Sequence, residues 1–175
     1  IVKQGKALYV GISKYPPMQA KVAYEILRSA GVPCLISQYR YSMFDRTVEE
    51  KSLPLAAEQG SGFIAFSPLA QGLLTKKYLH GIPEHSRAAR STGFLKVDQV
   101  TEDKVGKARR LDEIAARRGQ TLAEMALAWV LKDERMTSVI VGTSSVKQLA
   151  DNLHALDNLN FTNEELAEIE GILRL

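Results

Sequence analysis

The sequence has few of the features that would place it outside the ordinary globular proteins. It contains one cysteine, Cys34, so no disulfide can form within the chain and a reducing compartment is expected. No apolar run approaches the ~20 residues that cross a bilayer, so membrane insertion is not expected. Residues 1–6 lack the apolar core of a signal peptide and resemble the end of a helix. These absences favour a cytoplasmic protein whose chain begins within a larger unit.

The sequence also lacks a large excess of positive or negative residues. The 23 basic and 20 acidic residues leave a net charge of +3. The densest basic segment, residues 104–110, has helical spacing and is interpreted as a solvated helix face. Because no stacking aromatic residues interleave with these cations, nucleic-acid binding is not expected. Neither a nucleophile–base pair nor a cluster of metal ligands is recognisable, so no metal site is predicted.

What the chain does have is the pattern of a layered α/β protein. At 175 residues, 45% of them hydrophobic, it is long enough to bury one core. Four apolar runs are continuous rather than alternating, which is typical of parallel strands covered on both faces. They span residues 7–12, 33–37, 63–66 and 138–141. Cys34 lies in the second run and is expected to be buried.

Helical patterns separate these runs. Residues 47–58, 102–118 and 145–156 are predicted helices, and residues 79–98 form a long polar insertion. Residues 19–30 are also predicted to be helical, with one apolar face: Val22, Ala23, Ile26, Leu27 and Ala30. The clearest helix begins with a capping box of Thr121 and Glu124 and carries an apolar stripe of Leu122, Met125, Ala126, Trp129 and Val130, which makes Trp129 a core residue. A second capping box, Thr162 with Glu165, begins the last helix.

Alternating strands and helices predict an α/β fold with a parallel sheet. Four strands suit either a small open sheet or half of an eight-stranded barrel, since a complete barrel takes ~250 residues. Each strand is followed by polar residues at its carboxyl end, where such folds build their sites. These ends lie in the segments GISKY (11–15), QYRYSMFDR (38–46), FIAFSPLAQGLLTKKY (63–78) and VIVGTSSVKQLADN (139–152), and a fifth segment, GIPEHSR (81–87), lies in the long insertion.

In this order the segments resemble the aldo-keto reductases, NADP-dependent (β/α)8 TIM-barrel enzymes, over essentially the whole chain. Within that family the similarity is greatest to bacterial glyceraldehyde-3-phosphate reductase-like members and to potassium-channel β subunits. The match begins at the fifth barrel strand. The resemblance therefore implies that residues 1–175 form the C-terminal half of one barrel domain, about strands 5 to 8, and that the N-terminal half is absent.

The resemblance also implies a site for NADP(H). The nicotinamide carboxamide would be held by Ser13, Lys14 and Gln38, although the family usually has Asn where Lys14 stands. Phe66 would stack on the nicotinamide ring, with barrel core as its alternative role. The pyrophosphate would be lined by the residues of one turn: Ser67, Pro68, Leu69, Gln71 and Gly72.

The remaining cofactor contacts are implied for later segments. Lys77 and Arg87 would bind phosphate groups, unless Lys77 is simply solvated. The adenosine 2′-phosphate would be held by Gly142, Thr143, Ser144 and Gln148. Asp151 and Asn152 would contact the adenine edge. Purely structural roles stay open for these residues. Ser145 and Gln148 have the spacing of a capping box, and Asp151 with Asn152 could form an exposed helical turn.

By the same resemblance, the parent protein is an NADPH-dependent oxidoreductase that reduces a small carbonyl substrate, such as glyceraldehyde 3-phosphate, to an alcohol. The family's catalytic Asp, Tyr, Lys and His come from the first four barrel strands, so no catalytic residue is expected here and the isolated chain is expected to be inactive. A homo-oligomer, or pairing with the other half-barrel, would cover the strand edges. The alternative is an NADPH-binding regulatory subunit similar to the potassium-channel β subunits.

Overall fold

Parallel strands and helices alternate along the chain in the computed structural model, which describes residues 1–90 and 94–175. The strands are β1 (Val10–Ser13), β2 (Cys34–Arg40), β3 (Gly62–Phe66) and β4 (Met136–Ile140). The helices are α1 (Pro17–Ser29), α2 (Ser52–Glu58), α3 (Glu102–Arg117), α4 (Leu122–Leu131), α5 (Val146–Leu153) and α6 (Asn163–Arg174). Short 3₁₀ helices span Ala70–Gly72, Lys76–Tyr78, Val97–Gln99 and His154–Asp157.

The four strands form one parallel sheet in the order β1-β2-β3-β4. Each strand pairs with the next in sequence, so every connection crosses over through helical structure. All four carboxyl ends therefore meet at one edge of the sheet. The predicted α/β class with a parallel sheet is confirmed.

Strand β2 extends to Arg40, three residues beyond its predicted end, and the strand bounds also differ from the predicted ones at both edges of the sheet. Residues 7–9 were expected in β1, but Leu8 and Tyr9 are 82% and 69% exposed and lie outside the paired region. The pairing of β1 with β2 is irregular between Val10 and Gly11. A Cβ on Gly11 would lie 2.8 Å from the Ile36 carbonyl oxygen, so the close approach of these strands requires glycine. At the other edge, β4 begins two residues before the predicted start.

Most helix predictions are confirmed. Both capping boxes form, with Thr121 and Thr162 each accepting a hydrogen bond from the amide three residues later. The α4 stripe lies in the core, and Trp129 is 2% exposed. Cys34 is buried as expected. Helix α2 begins at Ser52 rather than at residue 47, because Glu49 in the preceding turn is held by Arg46 and Tyr41.

The predicted apolar face of α1 does not pack as one surface. Val22 and Ile26 are 51% and 63% exposed, whereas Ala20 and Tyr24 are buried. Tyr24 is drawn against the sheet by a 2.5 Å hydrogen bond between its hydroxyl and that of Ser37. The helix is apolar on more than one side, so its sequence did not determine which side contacts the sheet.

The long insertion is anchored rather than wholly solvated. Ser86, Ala88 and Leu95 are buried, and the latter two form a small apolar cluster with Leu73 and Tyr78. Arg109 of α3 donates from Nε to the Leu79 carbonyl oxygen at 2.9 Å. The middle of the predicted insertion, residues 91–93, lies outside the described residues.

Candidate cofactor site

The carboxyl ends of β1 and β2 bring three of the predicted site residues together. Ser13 lies opposite Gln38 in the parallel register, and the Lys14 amide donates to the Gln38 carbonyl oxygen at 3.0 Å. Lys14 has a φ of 61°, a left-handed conformation that is uncommon outside glycine. The chain therefore turns sharply as it leaves β1, and the Ser13 and Lys14 side chains are exposed.

Tyr39 fixes the turn after β1. Its hydroxyl donates to the Tyr15 carbonyl oxygen at 2.8 Å, and its ring stacks on Phe63 with centroids 5.1 Å apart. Burial raises the pKa of Tyr39 to about 12, so the hydroxyl keeps its proton at neutral pH. Gln38 is therefore the neighbour of Tyr39, whose side chain is fixed by ring stacking and by a hydrogen bond.

The turn after β3 is the most strained segment of the site. Ser67, Ala70 and Gln71 all have positive φ values, between 47° and 60°. A left-handed conformation costs a non-glycine residue roughly 1–2 kcal/mol, and such positions cluster at ligand sites. The Gly72 amide closes the turn by donating to the Leu69 carbonyl oxygen at 2.8 Å.

The residues predicted to line the pyrophosphate lie in this turn, directly after Phe66, the predicted stacking ring. Phe66 ends β3 and is partly exposed, opposite Arg40 on one side and Ile140 on the other. Pro68 is buried, whereas the side chains of Ser67, Leu69 and Gln71 are partly exposed. A Cβ on Gly72 would lie 3.3 Å from the Tyr78 ring, so this position is crowded as well as left-handed.

The two predicted phosphate-binding cations lie on the segment after that turn. Lys77 is exposed in the short helix Lys76–Tyr78, while its neighbour Lys76 pairs with Asp112 of α3 at 3.6 Å. Arg87 is exposed, and its Nη2 atom lies 4.0 Å from the place that a Cβ on Gly142 would occupy. The insertion therefore crosses to the end of β4.

Beyond β4 the predicted 2′-phosphate residues lie on an exposed turn. Gly142, Thr143 and Ser144 are all exposed. The Gln148 side-chain oxygen accepts from the Ser144 amide at 2.9 Å and from its hydroxyl at 3.1 Å. Ser145 caps α5 by accepting from the Gln148 amide, but the Gln148 side chain turns to Ser144 instead of completing a box.

Asp151 and Asn152 do not share one environment. The Asp151 carboxylate pairs with Lys147 at 2.7 Å on the exposed side of α5. Asn152 is 9% exposed, and its Nδ2 atom is buried without a hydrogen-bond partner among the described residues. It lines a cavity of about 230 Å³ that extends to Val141 beside Leu149 and Ala155. The structure therefore separates two side chains that the sequence grouped together.

The chain resembles one protein family along almost its whole length. The sequence profile of the Aldo/keto reductase family matches residues 1–174. The chain belongs to the aldo/keto reductase family. It is 48% identical over 173 residues to an L-glyceraldehyde 3-phosphate reductase of Escherichia coli O157:H7, and 46% identical over 173 residues to one of Escherichia coli K12. Each match covers 97% of this chain and 50% of the relative, so the chain spans about half the length of the curated relatives it matches.

The aldo/keto reductases generally use NAD(P)H, and the described residues fit such a group. An aromatic ring at the end of β3, a strained turn after it and the Arg87 guanidinium suit a flat ring that carries phosphates. The Asn152 side-chain amide has no hydrogen-bond partner among residues 1–90 and 94–175. A buried donor without a partner costs about 1–3 kcal/mol, and a ligand that accepts from Nδ2 would remove that cost.

The described part of the chain contains neither a group of metal-ligating side chains nor a membrane-spanning helix. No group of three His, Cys, Asp or Glu side chains within residues 1–90 and 94–175 could hold a metal ion. None of the helices in those ranges is long and apolar enough to span a membrane.

Sequence reasoning missed one candidate site residue of this chain, Arg40. It is the last residue of β2, and its guanidinium carbon lies 5.8 Å from the centre of the Phe66 ring. The available signal was its position two residues after Gln38, because side chains at i and i+2 of a strand share one face. A charged side chain on the same strand face as Gln38 would lie beside the same ligand.

Proposed function

We propose that this chain is the cofactor-binding half of an NADPH-dependent aldo/keto reductase that reduces an aldehyde to an alcohol. Glyceraldehyde 3-phosphate, or an aldehyde like it, is the proposed substrate. The observation that carries the proposal is the meeting of Ser13, Gln38 and Phe66 at one edge of the sheet. These are the residues that would present the nicotinamide to a carbonyl group.

At this edge the chain's own side chains would bind and orient the nicotinamide. Gln38 carries both a donor and an acceptor, as the carboxamide of nicotinamide requires, and Ser13 adds a hydroxyl beside it. Phe66 offers a ring face that fixes how the nicotinamide lies. The cofactor, when bound, supplies a hydride to the carbonyl carbon, while the protein supplies orientation and charge.

The other proposed contacts hold the rest of the nucleotide. The turn from Ser67 to Gly72 would line the pyrophosphate, with Lys77 and Arg87 opposing its charge. The exposed turn from Gly142 to Ser144, just before α5, would take the 2′-phosphate that distinguishes NADPH from NADH. Asn152 would donate to the adenine, and a contact from Asp151 stays a prediction.

The chain is proposed to be the C-terminal half of a (β/α)8 barrel, with the proton donor and the other catalytic residues in the half that it lacks. In support, the sheet has four parallel strands, and the chain covers half of each curated relative. The open edges of β1 and β4 would be covered by that half, or by a second copy of the chain. The isolated chain is therefore expected not to reduce aldehydes.

The direct test is aldehyde-dependent oxidation of NADPH by the full-length protein, followed by absorbance. We expect turnover with glyceraldehyde 3-phosphate and none from the purified 175-residue chain. Turnover by that chain, free of full-length enzyme, would contradict the assignment of catalysis to the other half. Absence of turnover by the full-length protein with any aldehyde, together with co-purification of a membrane channel, would instead support the regulatory-subunit alternative.

A further inference from the structure

Arg40 occupies a position at the proposed site to which no role has been given. It lies opposite Phe66 in the register of β2 and β3, and its guanidinium carbon is 5.8 Å from the Phe66 ring centre. Gln38 lies on the same face of β2, about 7 Å away along the strand. A permanently charged group therefore stands next to both the proposed ring platform and the proposed carboxamide ligand.

The guanidinium of Arg40 is held only weakly. Its side chain is 52% exposed, and the one ion pair that it makes within the described residues joins Nε to Asp45 Oδ2 at 4.0 Å. Arg46, six residues later, contrasts with it by bonding Glu49 through Nε and Nη2 and Glu170 through Nη1. Arg40 thus keeps donors for a ligand, whereas Arg46 uses its donors to hold the fold.

A small groove opens beside Arg40. It holds about 130 Å³, well below the roughly 300–1,000 Å³ of a site for a whole drug-sized ligand. Ser67 offers a partly exposed hydroxyl group in its lining, and Lys104 of α3 adds a second cation against the carboxylate of Asp45. The groove therefore suits one small anionic group rather than a second nucleotide.

We propose that Arg40 binds the phosphate of the substrate and so selects phosphorylated small aldehydes over neutral ones. The proposal rests on the proposed reductase function. Phe66 is one strand away from Arg40, about 4.8 Å, and a carbonyl on the outer face of a nicotinamide stacked on that ring lies within the combined reach of a three-carbon aldehyde phosphate and the arginine side chain. The planar fork of arginine donates to two phosphate oxygens at once.

The test compares two substrates of equal carbon length, glyceraldehyde 3-phosphate and glyceraldehyde, with the full-length protein. Arg40→Gln removes the charge, Arg40→Lys keeps it without the fork, and Arg110→Gln removes an exposed arginine of α3 as a matched control. For Arg40→Gln we expect KM for the phosphorylated aldehyde to rise at least about tenfold, with glyceraldehyde kinetics and the Kd for NADPH within about twofold of the parent values. The KM of Arg40→Lys for the phosphorylated aldehyde is expected to lie between the KM values of the parent and of Arg40→Gln. Arg110→Gln is expected to match the parent.

Several results would overturn the proposal. An equal loss for both aldehydes would make Arg40 a structural residue, and a weaker Kd for NADPH would assign it to the cofactor's phosphates. Unchanged kinetics for both aldehydes would leave it without a role in recognition. A parent protein that reduces both aldehydes equally well would keep the reductase function and remove the phosphate selectivity. A parent that reduces neither would remove the reductase function itself.

Discussion

At the β1–β3 end of the proposed site, Ser13, Gln38 and Phe66 stand on paired strands, whereas at the β4–α5 end Gly142, Thr143 and Ser144 lie on an exposed turn. The first end is positioned by a hydrogen-bonded ladder with a fixed spacing along and between strands. The second end is positioned by side chains that bond to one another, with Gln148 bound to Ser144.

This contrast implies different responses to a ligand. Strand positions inside a sheet have little freedom to move, so the nicotinamide end is expected to be preformed. The adenosine end uses its polar groups internally, and these bonds must be exchanged for bonds to a phosphate. Affinity is therefore expected to depend most on the first end, and discrimination between NADPH and NADH on the second.

The largest effect is expected from Phe66→Ala, which removes the ring platform. Stacking of a base on an aromatic side chain contributes about 1–3 kcal/mol, so the Kd for NADPH should rise about 30-fold by isothermal titration. Phe66→Tyr is the control and should bind like the parent. Loss of affinity in both variants would show that the strand, rather than the ring face, matters.

Arg87→Gln removes a cation that is proposed to oppose the pyrophosphate and that reaches the Gly142 turn. A charge-assisted hydrogen bond contributes about 1.5–3 kcal/mol, and because this guanidinium is exposed we expect NADPH binding to weaken by the low end of that range, about tenfold. The loss should shrink as salt is added, since the guanidinium is exposed and its charge is screened. Arg90→Gln removes an exposed arginine of the same segment and should bind like the parent. A salt-independent loss would contradict a phosphate contact.

Asn152→Leu separates stability from binding at the same end. Leucine extends into a largely apolar cavity and removes a buried Nδ2 that has no partner in the described part of the chain, so the free energy of unfolding without cofactor should rise by up to ~1 kcal/mol. Binding of NADPH should weaken about fivefold, because a donor to the adenine is lost. The exposed Asn160→Leu is the control for both measurements. A destabilised variant with unchanged affinity would give Asn152 a structural role.

The smallest effect is expected from the ion pairs of Arg46 with Glu49 and Glu170, which lie close to the end of β2. Arg46 bonds Glu49 and Glu170, and Tyr41, the residue after β2, donates to Glu49 at 2.8 Å. Arg46 holds the pKa of Glu170 below its usual value. This stabilisation is present above the pKa of an ordinary glutamate, about 4.3, and is lost as the pH falls through the lower pKa of the folded protein.

Parent and Glu170→Gln should therefore differ in free energy of unfolding by about 0.5 kcal/mol near neutral pH, and the difference should vanish in acid. Urea unfolding across the pH range measures it. A difference that grows as the pH falls would contradict the ion pair with Arg46.

The parts that the sequence predicted are those governed by local rules. Continuous apolar runs identified the strands, and Thr121 with Glu124 identified a helix start. The carboxyl ends of parallel strands indicated where the candidate site is expected, and that site stays a prediction. Three features depended on tertiary packing instead. Val22 faces solvent because Tyr24 hydrogen-bonds to the sheet, and Asn152 is buried away from Asp151 by the position of α5. The left-handed Gln71 carries no sequence signal, since neither glycine nor asparagine stands there.

The structure of the full-length protein with bound NADP⁺ tests the central claim most directly. The account predicts the nicotinamide on the Phe66 ring with its carboxamide bonded to Gln38, and the 2′-phosphate against the turn from Gly142 to Ser144. A cofactor whose nicotinamide lies away from the β1–β3 edge, or whose 2′-phosphate contacts none of that turn, would contradict it.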